Sequence, residues 1–136
     1  MATPQLVALI NALKNVRVIK LKIEATDGGL TKAVFSTDGP ISDVGLDNAR
    51  GAVALEFQSL VQNVRAVKTT DPIVRAHPDV HCNLRRQVAR RSWLMGEYGA
   101  TARIEWGEIA EGVCDDVPRI ESGIVEALEA NGVPSF

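Results

Sequence analysis

Aromatic residues make up only 4% of this 136-residue chain. Any core it builds must therefore be aliphatic, drawn from its Leu, Ile, Val and Ala. Cysteine is scarcer still. Cys82 and Cys114 are too few for a disulfide framework, and both read as partly buried thiols, since cysteine is among the most buried residue types. No apolar run approaches the roughly 18 residues needed to span a bilayer, so no membrane association is expected. No basic segment precedes the apolar residues of the N-terminus, so no secretory signal is expected either. A cytoplasmic, reducing setting follows as the expectation.

Recognisable chemical signatures are equally sparse. There is no glycine-rich phosphate cradle with its lysine, no nucleophile elbow and no dinucleotide fingerprint. The turns Thr26-Asp27-Gly28-Gly29 and Thr37-Asp38-Gly39-Pro40 lack the remaining ligands of a calcium loop. No cofactor or metal is implied, and neither an internal repeat nor a low-complexity tract is present.

What is present has the balance of a globular protein: 46% hydrophobic and 24% charged residues, with a formal net charge of -2. The length is that of one ordinary domain, so residues 1–136 are read as a single unit. The strongest pattern runs from Leu46 to Val67. Leu46, Ala49, Val53, Phe57, Leu60 and Val64, widened by Val61, recur at spacings of three and four. That is the mark of an amphipathic helix, with Asp47, Arg50, Gln58 and Gln62 expected to face away from its buried side. Gly51 interrupts it at a cost of about 1 kcal/mol relative to alanine, a cost that close approach of a neighbouring hairpin would explain.

Thr3-Pro4 supplies a cap and a first-turn proline for an N-terminal helix carrying Leu6, Ile10 and Leu13 on one face and ending near Asn15. From Val18 to Thr26 the period changes to two, with Ile19, Leu21, Ile23 and Ala25 alternating with Lys20, Lys22, Glu24 and Thr26. This predicts a strand, turned by Asp27-Gly28-Gly29 into a second strand over Leu30–Thr37. Ala100–Trp106 alternates in the same way and predicts a third. Helices are expected over Asn83–Tyr98, closed by Gly96 and Gly99, and from Asp115 to the stop at Asn131-Gly132, with Val117, Ile120, Ile124 and Leu128 buried. The expected fold class is α+β: a small antiparallel sheet built on the 18–37 hairpin, packed against three or four helices.

Three constellations carry potential chemistry. Arg85, Arg86, Arg90 and Arg91 form a basic cluster in which Arg86 and Arg90, one helical turn apart, can converge on one anion. The plain alternative is internal pairing with the acidic last third of the chain. The irregular stretch Lys68–Cys82 contains His77-Pro-Asp-Val-His81-Cys82, metal-competent residue types at a spacing that matches no common zinc pattern. The carboxylates Glu105, Glu108, Glu111, Asp115 and Asp116 read as a solvated face plus a helix N-terminus. Separated basic and acidic segments can pair between copies. The leading expectation is accordingly a non-enzymatic protein–protein interaction or assembly module that is homo-oligomeric. Anion or nucleic-acid binding through residues 85–91 is the alternative, disfavoured by the overall acidity. A small enzyme with its site in the 77–82 loop is the second alternative.

Overall fold

The computed structural model describes residues 3–96 and 104–134, and among these every regular element is helical. The chain runs α1 (Pro4–Glu24), α2 (Lys32–Phe35), α3 (Val44–Arg65), α4 (Pro72–Ala76), a 3-10 turn (Pro78–His81), α5 (Leu84–Leu94), α6 (Trp106–Glu111), a π-turn (Gly112–Asp116) and α7 (Val117–Ala130). The fold is all-α, which overturns the expected α+β sheet.

The error lies in residues 18–37. Helix α1 does not stop at Asn15 but continues to Glu24. Leu6, Leu9, Leu13, Val16 and Ile19 are buried at spacings of three and four, and Ile23 packs against the same core. Leu21, expected inward, is 64% exposed. Once nucleated, a helix propagates cheaply until a residue opposes it, and no glycine or proline follows Pro4 until Gly28. Asn15 is no stop signal. It donates to Glu56 Oε2 (3.0 Å) and accepts from Asn63 Nδ2 (2.7 Å), tying α1 to α3. The Asp27-Gly28 turn does form, both residues having positive φ, but it leads to a loop and a single helical turn, α2, capped by Thr31. Of the expected third strand, residues 100–103 lie outside the described part. Ile104 and Glu105 are irregular, and Trp106 begins α6.

Helix α3 is as the periodicity predicts. Asp43 caps it, its side chain accepting from Leu46 N. Val53, Phe57, Leu60, Val61 and Val64 are at most 1% exposed. Its longest neighbour is α1, and α5 packs on it from another side. Two expectations along it fail. Arg50 is turned in rather than out, and among the described residues nothing lies within 4 Å of a side chain built at Gly51, so no described neighbour explains that glycine.

The C-terminal third is one helical run with a wide turn inside it. Helix α6 passes into the π-turn and then into α7 without a break. Pro118 lies in the first turn of α7, where its missing N–H and its ring would disturb a regular helix, and the π-turn absorbs that disturbance. Asn131-Gly132 ends α7 as expected, Gly132 with φ of 72°. The 68–82 stretch contains α4 and the 3-10 turn, and the latter lies flush on α7. A Cβ at Gly123 would stand 2.6 Å from Val80 N and 2.8 Å from the Asp79 carbonyl carbon. Backbone cannot yield as a side-chain tip can, so Gly123→Ala is expected to destabilise the protein by about 1–3 kcal/mol despite alanine's better helix propensity. A urea midpoint equal to or above wild type would show that the turn does not dock there.

Among the described residues no helix is long and apolar enough to cross a membrane.

Candidate functional site

Helix α5 places Arg86 and Arg90 on one face, as their spacing requires, and that face meets α6 and the π-turn. Arg90 is completely buried. Its Nη1 donates to Asp116 Oδ2 and to Gln87 Oε1, both at 2.7 Å. Its Nε and Nη2 donate to Glu108 Oε2 at 3.3 and 3.1 Å. Gln87, also fully buried, spends its amide N–H groups on Asp116 Oδ2 (2.8 Å) and Cys82 O (3.1 Å). Asp116 Oδ1 accepts from Asn83 Nδ2 at 3.2 Å. Asn83 holds a left-handed backbone (φ 49°) just before α5, a conformation asparagine tolerates better than most residues.

This is a closed network, in which each buried donor meets an acceptor. Burial works to raise the Asp116 pKa, but the hydrogen bonds from Arg90, Gln87 and Asn83 outweigh it and hold the carboxyl below its ordinary value. The π-turn makes the arrangement possible, because its extra residue re-aims Asp116 inward. Gly112, at its start, lets the turn lie against Phe57, Arg90 and Gln87, whose nearest atoms stand 3.1–3.2 Å from where its Cβ would be.

Arg86 sits at the rim, half exposed, with Glu108 at 2.9 Å and Glu111 at 3.4 Å. Those carboxylates, Glu108 first, raise its pKa. Arg85 is exposed, and Arg91 is half-buried with an enclosed Nε that has no partner among the described residues. The arginine cluster therefore divides. Arg86 and Arg90 meet the chain's own acids, whereas Arg85 and Arg91 do not join that network. The carboxylate set divides too. Asp116 is buried, Glu108 and Glu111 form the rim, Asp115 pairs with Lys32 at 2.6 Å, and Glu105 precedes α6 without capping it.

In the 77–82 loop each histidine has one ring nitrogen beside a group of the chain, while His81 Nδ1 is enclosed with no partner among the described residues. His77 Nδ1 is 3.9 Å from Glu126. His81 Nε2 lies 2.7 Å from Val64 O, and since a carbonyl only accepts, that nitrogen carries the hydrogen. Cys82 is buried, and burial, the larger cause, raises its thiol pKa together with the nearby Asp116 charge; burial likewise raises Cys114. Among the described residues no cluster of three or more His, Cys, Asp or Glu is placed to hold a metal ion.

Two further features gave no warning in the sequence. The first is Arg50, 2% exposed. It donates to the carbonyls of Phe35 (3.1 Å), Thr37 (2.8 Å) and Gly39 (2.6 Å) and stacks 3.9 Å above the Trp106 ring. One side chain thus organises the loop that replaces the expected strand. Burial lowers its pKa against the opposing pull of Asp47.

The second is the outer edge of α3. Val44 is 71% and Leu55 64% exposed. Leu55 also lines a shallow groove of about 300 Å³ between α3 and α5, shared with Gln58, Gln62, Arg91 and the half-exposed Met95. The apolar period of α3 picks out its buried face, and Val44 and Leu55 fall outside that period. A larger open hollow of about 620 Å³ lies between the end of α1 and the start of α3, with Lys22 and Asp43 among its lining residues.

Comparison with known protein families, curated proteins and solved structures finds no match to this chain.

Proposed function

We propose that this chain is a non-enzymatic assembly module that works through protein–protein contact, pairing with further copies of itself. The observation that carries the reading is the outer edge of α3, where Val44 and Leu55 stand exposed. Scattered surface apolar residues are ordinary. Here they share one helix edge, and Met95 adds to it across the adjoining groove. Exposed apolar residues set along one helix edge among amides have the make-up of a contact surface.

The contact face is thereby assigned to α3 rather than to the arginine helix, because Arg86 and Arg90 already have carboxylate partners within the chain. Those same pairs offset the positive charge that an anion or nucleic-acid site on residues 85–91 would need.

Sedimentation velocity across a concentration series tests the reading. The wild type is expected to form a defined larger species. Leu55→Lys, which places a charge on the edge without touching the core, is expected to remain monomeric with unchanged circular dichroism. A wild type that stays monomeric at every concentration would refute the proposal, and retention on heparin to high salt would favour the arginine alternative.

A further inference from the structure

Building on the assembly reading above, we infer that α3 is a two-fold interface, crossing antiparallel on the α3 of a second copy with Gly51 receiving the partner's Leu55. Three observations lead there.

The first is the register of the exposed edge. Val44, Asn48, Gly51, Leu55, Gln58 and Gln62 follow one another at alternating spacings of four and three. At 3.6 residues per turn they fall within an arc of about 80°, forming a line about 27 Å long. That alternation is the seam along which two helices pack side by side. No charged residue interrupts it.

The second is its self-complementarity. A two-fold axis requires one patch to match itself. Antiparallel pairing at the level of residue 53 sets Leu55 of each copy opposite Gly51 of the other, a side-chain knob over a position with no side chain. Asn48 then faces Gln58, two amides that each both donate and accept. Val44 meets the stem of Gln62. The charges just off the seam agree with this polarity. Asp43, at the start of α3, and Arg65, its last residue, are both exposed. Antiparallel pairing brings each Asp43 to the end where the partner's Arg65 lies, with the two helix dipoles opposed, whereas parallel pairing would set like charges together.

The third is Gly51 itself. It lies in the interior of a 22-residue helix, where glycine disfavours the helix relative to alanine. No described residue within 4 Å of its absent side chain gives a reason for it inside one copy. A partner lying against it supplies one.

Gly51→Ala separates the monomer from the interface because the two respond in opposite directions. In a single copy the added methyl meets no described neighbour and improves helix propensity, so the thermal midpoint measured under dilute, monomeric conditions should rise. At the interface the methyl meets the partner's Leu55, so the dissociation constant from sedimentation should increase about ten-fold or more, an energetic change of about 1.4 kcal/mol. Both shifts together support the inference. A wild type that associates, with Gly51→Ala associating equally well, overturns the crossing at Gly51 and leaves the assembly reading standing. A wild type that remains monomeric throughout overturns both.

Discussion

Asp116→Ala should cost about 3–5 kcal/mol of unfolding free energy, because it strands Arg90 as a buried guanidinium without its principal counter-charge. Arg90 is fully buried, and its shortest contacts are those to Asp116 and Gln87, at 2.7 Å each. Glu108 lies close, but its side chain is 32% exposed, and solvent screens what it can return. Gln87 and Asn83 would lose acceptors at the same time. Arg86→Ala is the internal control. Its pairs with Glu108 and Glu111 are half-exposed, and solvent screening leaves them little to contribute. A urea midpoint for Asp116→Ala no lower than that of Arg86→Ala would show that the buried network does not form.

The same carboxylate sets an acid dependence. Its folded pKa lies below its unfolded value, which for aspartate is about 3.9. The unfolded state therefore takes up the proton first as the pH falls. The contribution from Asp116 is complete above the unfolded pKa and disappears as the pH drops through the folded one. Stability measured from pH 6 downward should fall below about pH 4, and Asp116→Asn should flatten that part of the curve by removing the titrating group.

Phe57→Ala is the second large effect, expected at about 3–5 kcal/mol. The ring has no exposed surface, and its Cζ would come within 3.1 Å of a Cβ at Gly112, so it supports the π-turn from beneath. Truncation removes apolar area and opens a cavity directly under the Arg90–Asp116 network. The two sites share neighbours, so the double variant Phe57→Ala/Asp116→Ala should depart from additivity. Urea denaturation of the two single variants and the double checks both statements. A midpoint for Phe57→Ala unchanged from wild type would mean that α3 is not central to the core.

Much of the local punctuation was legible in the chain. Thr3-Pro4 begins α1, Asp27-Gly28 turns and Asn131-Gly132 stops, because caps and positive-φ turns depend on residues that are adjacent in sequence. The buried stripes of α3 and α7 were legible for a related reason, since a long 3.6-residue period has no competing reading. Residues 18–26 did have one. Ile19, Leu21 and Ile23 fit a strand by alternation, while Leu9, Leu13, Val16, Ile19 and Ile23 fit a helix continued from upstream. The docking of α1 along α3 selected the second, burying Ile19 and leaving Leu21 in solvent.

The candidate sites divide along the same line. By itself the sequence determined that Arg86 and Arg90 share a face and that a 22-residue amphipathic helix exists. Only the tertiary structure decided that Arg90 is internal, since its partner Asp116 lies 26 residues away and is aimed inward by a π-turn that no local pattern announces. It also decided that Arg50, on a polar position of the helix pattern, is sealed beneath the Phe35–Gly39 carbonyls and Trp106. Periodicity reports which side of a helix is apolar, and that is a property of neighbours in the chain. Whether a polar side chain is buried depends on whether distant groups satisfy its hydrogen bonds and charge, and those groups meet only when the chain has folded.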